Sequence, residues 1–201
     1  METIAGLFRT FKDADQAVDA LEKAGFNQDA ISLLARNQVI EENVPRDRTA
    51  KEVAGSAGAG AVGGGVVGGV LGLLIGLGAI VIPGLGPAFA AGALASALGT
   101  AAGGAGVGAA VGGILGAMTA LRIPEEEAQI YAEGVRRGGI LVTVQAEDAQ
   151  ADIARTVMRN SNAVDIEELR KEWQQSGWKQ FEETGEPDPD ETVNWNRVQD
   201  K

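Results

Sequence analysis

The sequence predicts an α+β protein: a ferredoxin-like, four-stranded α/β sandwich split by a long glycine-zipper α-helical hairpin and followed by an acidic C-terminal tail. Three observations carry that expectation. Strand–helix–strand patterns occur on both sides of an interruption. The interruption, Val53 to Leu121, is 69 consecutive residues without Asp, Glu, Lys or Arg, so all 45 charged residues lie outside it. Within it, small residues recur at every fourth position.

The elements follow in chain order. Thr3 to Arg9 is short and mostly apolar and reads as a strand. Asp13, three residues before Gln16, resembles a capping box, and Ala14, Ala17, Val18 and Leu21 follow at helical spacing up to Gly25, placed to end the helix. Ala30 to Ala35 reads as the second strand. Beyond the interruption, Pro124 and the carboxylates of Glu125, Glu126 and Glu127 mark a helix start, where acidic side chains suit the positive end of the macrodipole. Ala128, Tyr131, Ala132 and Val135 form its apolar face, and Gly138-Gly139 ends it. Strand Ile140 to Val144, helix Asp148 to Arg159 (with Ile153, Ala154, Val157 and Met158 on one face) and a last strand, Val164 to Ile166, complete the pattern. Two strand–helix–strand units suggest the ferredoxin-like arrangement, with helix 125–137 as an extra connector. The organisation expected is 1–45 for the first half of the α/β head, 53–122 for the hairpin, 123–169 for the second half and 170–201 for the tail. The tail carries Trp173, Trp178, Phe181 and Trp195 among acids, amides and prolines. It reads either as disordered or as an arm whose aromatic residues dock.

The interruption holds the strongest pattern. Gly60, Gly64, Gly68, Gly72 and Gly76 form one ladder; Gly92, Ser96, Thr100, Gly104, Gly108, Gly112 and Gly116 form another. Residues four apart share one helix face, and a face of small residues lets a second helix approach to backbone contact. Between the ladders, Pro83-Gly84-Leu85-Gly86-Pro87 breaks the helix and reverses the chain. The expected arms are Val53–Ile82 and Ala88–Leu121, each on the order of 45–50 Å at a rise of about 1.5 Å per residue, longer than a hydrocarbon core of about 30 Å. Val66 to Ile82 has eleven Val, Leu or Ile in seventeen positions, whereas the second arm is mostly Ala and Gly.

Composition excludes several function classes. A net charge of −11 opposes nucleic-acid binding and simple docking on anionic lipid. With no Cys and no His, disulfides, thiolate nucleophiles, the usual zinc ligands and the readiest proton shuttle are all missing. The glycine spacings near Gly58 and Gly60 lack the Lys/Ser pair and the ribose-binding acid of a nucleotide loop. Glu125–Glu127 are explained by capping, Asp188 and Asp190 by solvated tail charge, and Arg136-Arg137 by the negative end of a helix. No nucleophile–base–orienter set can be assembled, so no enzyme, no cofactor, no metal site and no small-molecule substrate are expected. The charged N-terminus does not read as a secretion signal, which favours a cytoplasmic head.

The opening TIAGLFRTFKDADQAVDALEKAGFNQDAISLLAR is similar to the heat-induced, general stress protein 17M-like family of bacteria. IPEEEAQIYAEGVRRGGILVTVQAEDAQADIARTVMRNSNAVDIEE resembles the second half of members with a glycine-rich insert, and SGWKQFEE resembles a recurrent ending. The resemblance implies a stress-associated protein and supplies no activity or site residues. The functional expectation is a non-enzymatic protein whose hairpin associates with the inner membrane and oligomerises, with Arg46, Arg48, Lys51 and Arg122 biasing its base toward the cytoplasm. The partners expected are a lipid bilayer and other copies of the chain. The alternative is a soluble homo-oligomer, a ring, shell or filament, whose hairpins share a core.

Overall fold

The protein is described by a computed structural model over residues 1–43, 78–82, 85–103 and 113–182. Five strands form one sheet: β1 (Glu2–Phe8), β2 (Ile31–Arg36), β3 (Gly78–Ile82), β4 (Gly86–Ala91) and β5 (Ile140–Ala146), in the order β1-β5-β2-β4-β3. Each neighbouring pair is antiparallel. The helices are α1 (Phe11–Lys23), α2 (Asn37–Asn43), α3 (Gly92–Gly103), α4 (Gly113–Ala120), α5 (Glu125–Arg136), α6 (Ala151–Asn160) and α7 (Ile166–Gln175), with a 3₁₀ turn at Gln28–Ala30.

The two faces of the sheet are covered by different helices, because successive side chains of a strand point to opposite sides. From β5, Ile140, Val142 and Val144 join Ala17, Val18 and Leu21 of α1 and Ala154 and Met158 of α6. Leu141 faces the other way, with Leu7, Leu34, Leu94 and Leu98 of α3, Ile114 and Met118 of α4, and Tyr131 and Val135 of α5. Strand β5, flanked by β1 and β2, is therefore apolar on both faces, as its near-continuous ILVTV run requires.

Helix ends follow local chemistry. Thr10 caps α1 by accepting from the Asp13 amide at 3.1 Å. The cap thus lies three residues earlier than the Asp13–Gln16 reading placed it. Gly25 and Gly138 occupy the positions expected for helix ends: the amides of Phe26 and Gly139 reach back to the carbonyls of Leu21 and Gly134, at 3.1 and 2.8 Å.

The sheet departs from the ferredoxin-like expectation. Val164–Ile166 is not a strand. Val164 donates one hydrogen bond to the Leu7 carbonyl, at 2.8 Å, and Asp165 then caps α7 by accepting from the Glu167 and Glu168 amides. The remaining strands come from the uncharged interruption. Ile82↔Gly86 begins the β3–β4 ladder, and Leu33↔Ala91 through Arg36↔Ala88 joins β4 to β2. The chain reverses between β3, which ends at Ile82, and β4, which begins at Gly86, so two strands stand where two helices were expected; Pro83 and Gly84 lie outside the described residues. Pro87, which has no N–H to donate, sits just past the β2–β4 pairing, where such a residue is tolerated. The expected arm Ala88–Leu121 is split between β4, α3 and α4, and α3 packs against α4. Residues 53–77 of the other expected arm lie outside the described residues. No helix among the described residues is long and apolar enough to cross a membrane.

Gly92 makes the turn from β4 into α3. Its φ is +71°, and a Cβ there would collide with the Ile31 carbonyl oxygen and stand 2.7 Å from Ser32 Oγ. Both obstacles belong to β2, and the Ser32 hydroxyl also accepts from the Leu94 amide. Gly92→Ala is expected to destabilise the protein by about 2–4 kcal/mol, adding backbone strain to a clash against buried backbone. Thermal unfolding of the variant measures this; an unchanged melting temperature would refute the close approach.

Candidate functional site

Two places in the fold bear on function: the described part of the small-residue ladder, and a corner of arginines and tryptophans at the end of α5.

Of the ladder positions, Gly60, Gly64, Gly68, Gly72, Gly76, Gly104, Gly108 and Gly112 lie outside the described residues, as do Pro83 and Gly84 of the turn. Gly86 and Pro87 stand in β4. Gly92, Ser96 and Thr100 are in α3 and Gly116 is in α4. On α3 the core takes Leu94 and Leu98, while Ser96 is exposed and Gly92 half-buried. On α4 the core takes Ile114, Ala117 and Met118, with Gly116 half-buried. The small-residue positions are therefore displaced from the apolar stripe that each helix buries in the core. Gly92 has its own local reason to be glycine, and the ladder spacing does not reveal it.

The corner is built from α5 outward. Glu133 is fully buried, an expensive place for a carboxylate unless charge and hydrogen bonds compensate. Arg136, one turn on, donates from Nε and Nη2 to its two oxygens at 2.9 and 2.7 Å, and Arg137 donates from Nε at 2.6 Å. Residues three and four apart meet on a helix, so EGVRR itself contains the cluster. The third arginine comes from elsewhere: Arg36, the last residue of β2, donates to the Arg136 carbonyl at 3.0 Å. Burial and the Arg136 charge lower its pKa from the ordinary guanidinium value.

Trp173 of α7 joins the corner through the Arg137 guanidinium, 4.7 Å from its ring centroid. The segment Ser176-Gly177-Trp178 then folds a second indole onto the first. Gly177 takes φ +97°, the Trp178 amide donates to the Trp173 carbonyl at 2.9 Å, and the rings meet edge-on at 5.6 Å. Phe181 is buried against the same layer. The chain through Phe181 is thus docked, and the acidic remainder, 183–201, lies outside the described residues.

A cleft of about 200 Å³ opens beside this corner, lined by Glu126, Gln129, Arg170, Gln174, Trp178 and Lys179 among others. The Trp178 Nε1–H is buried with no acceptor, and Arg170 reaches Glu126 and Glu167 at 3.5 and 3.6 Å. Burial raises the Glu127 carboxyl pKa, against the lowering effect of Arg170. These side chains hold and orient charge, and no nucleophile paired with a base is among them. No group of three or more metal-ligating side chains occurs among the described residues.

Sequence reasoning named Arg136, Arg137 and Trp173 separately. It missed that buried Glu133 and distant Arg36 organise them. Glu133→Ala is expected to cost about 3 kcal/mol, because two guanidiniums lose their buried counter-charge. Glu133→Gln should cost less, since it keeps shape and one acceptor. Urea unfolding of the two variants checks the order; equal losses would contradict a charge-based role.

No curated protein and no solved structure matches the chain. Residues 3–81 match the family model described as heat induced stress protein YflT domain. Over that segment the chain is similar to the heat-induced stress proteins that its opening residues resemble.

Proposed function

We propose that this is a non-enzymatic, stress-associated protein that works by self-association, its α/β head presenting small-residue helix faces to other copies of the chain. The observation that carries the reading is the placement of the ladder on α3: Leu94 and Leu98 fasten the helix to the head, and Ser96 is left on the outside. A glycine in a helix interior costs about 1 kcal/mol relative to alanine. Helix faces this rich in small residues are sustained when close packing offsets that cost. The family match over residues 3–81 supports the stress association.

A second reading places the uncharged segment in the inner membrane with the head in the cytoplasm. Its support is the 69-residue run without a charge and the eleven large aliphatic residues between Val66 and Ile82. The anchoring of Gly78–Ala91 in the sheet weighs against this stretch crossing a bilayer as a helix.

Expression without detergent, hard centrifugation and sizing of both fractions separates the two readings. A defined large species in the supernatant supports self-association. A pellet that resists alkaline carbonate and dissolves only in detergent supports the bilayer. Ser96→Leu is the most informative substitution, because an exposed position leaves the core untouched. It should shift the large species toward monomer with an unchanged circular dichroism spectrum. Gly68→Leu and Gly108→Leu, at ladder positions outside the described residues, should act in the same direction. Assembly identical to the parent in all three variants would dismiss the ladder as the contact.

A further inference from the structure

The cleft of about 200 Å³ between α5 and α7 gathers hydrogen-bond donors that have little to bond to among the described residues. On α5, Glu126, Gln129 and Ile130 share one face at helical spacing, and on α7 Arg170 and Gln174 do the same. The turn at Gly177 brings Trp178 and Lys179 to the same cleft. We propose that this cleft binds a small carboxylate with a planar apolar body, held by Arg170, Lys179 and the Trp178 indole N–H.

The state of those donors carries the assignment. The Trp178 Nε1–H is buried and has no acceptor among the described residues, which is rare for a buried polar group. Arg170 stands 3.5 and 3.6 Å from Glu126 and Glu167, farther than in well-formed hydrogen bonds, and both carboxylates are mostly exposed. Among the described residues Lys179 has no ion pair, and the Gln129 and Gln174 side chains have no hydrogen bond. A guanidinium fork matches a carboxylate in geometry as well as in charge, and Lys179 adds a second cation. Glu126 and Glu167, close to Arg170, oppose a doubly charged phosphate, so a single negative charge suits the cleft better. Ile130, wholly buried, and the Trp178 ring give it an apolar wall for the rest of the ligand. At about 30 Å³ for each water, the volume corresponds to about seven waters. That admits a compound of benzoate's order and is too small for a nucleotide. None of these residues belongs to the small-residue ladder, so the site stands or falls apart from self-association.

Nuclear magnetic resonance titration of the isotope-labelled full-length protein with benzoate tests this through the Trp178 indole N–H resonance, assigned by its loss in Trp178→Phe. A saturable shift to lower field is expected as the N–H gains a charged acceptor. Benzamide, the neutral compound of the same shape, should leave the resonance in place. Arg170→Gln should raise the apparent Kd for benzoate about tenfold, through loss of a charge-assisted hydrogen bond. Lys179→Gln, at an exposed position, should raise it by a smaller factor and keeps the test open if the Arg170 variant does not fold. Four results would overturn the proposal: a resonance that ignores benzoate, an equal response to benzamide, a Kd unchanged in every folded variant, or tighter binding of inorganic phosphate. So would a shift to higher field caused by about 1 M salt alone, which shortens the screening length to about 3 Å. Carboxylates of the protein itself would then already fill the cleft.

Discussion

Strand β5 has a neighbour on each side and an apolar layer above and below it, and the rest of the molecule is arranged to satisfy that position. Ile140, Leu141, Val142 and Val144 are inaccessible to water, so both faces of the sheet must be roofed by helices. Helices α1 and α6 roof one face with residues from the polar flanks. The opposite face takes α5 and α7 from the flanks and α3 and α4 from the uncharged insert. At least part of the insert is therefore structural to the head. Its described residues supply two strands and two helices, of which β4, α3 and α4 share the apolar layer of Leu7, Leu34 and Leu141.

The β1 edge of this sheet is partly occupied. Along β1, the Val164 amide reaches the Leu7 carbonyl and the Tyr131 hydroxyl donates to the Ala5 carbonyl at 3.3 Å. Burial of that tyrosine, with Glu127 nearby, pushes its pKa up and keeps the hydroxyl a donor. Such bonds occupy strand groups that would otherwise recruit another chain. They also explain the fate of Val164–Ile166: a single bond to β1 suffices before Asp165 diverts the chain into α7. The corner at the other end of α5 has a related logic. One buried carboxylate orders two arginines, one arginine orients an indole, and the turn at Gly177 adds a second indole, so chemistry local to α5 and α7 shapes a charged surface.

Much of the head was legible from residue pattern. Ala14, Ala17, Val18 and Leu21 meet the core as their spacing required, and Ala128, Tyr131, Ala132 and Val135 do so on α5. Amphipathic periodicity reports such contacts because one face of a helix must leave water. Ile153 is an exception, nearly half exposed, since α6 is fastened by Ala154 and Met158 instead. Of the charged corner, only the Glu133, Arg136 and Arg137 spacing was readable. Arg36 is a hundred residues from Arg136, and no local rule brings them together.

The insert marks the limit of that legibility. Its four-residue period is a property of the chain and identifies faces that permit close approach wherever the segment is helical. Whether a stretch becomes helix or strand depends on what lies alongside. Gly86–Ala91 is mostly glycine, alanine and proline, poor strand formers by composition, whereas Gly78–Ile82 ends in the β-branched run Ile80-Val81-Ile82 that also suits the buried helix expected there. They become strands because β2 offers unpaired backbone groups and β4 can satisfy them, with Gly92 letting the chain turn away over Ile31 and Ser32. The sequence by itself determined the helix faces on α1 and α5, the glycine-marked ends after Gly25 and Gly138, the absence of charge in the insert and a break in the chain between Ile82 and Gly86. The tertiary structure decided that this break lies between two strands and that Arg36 meets Arg136, because backbone pairing and burial between distant segments outweigh the weak local preferences of small residues.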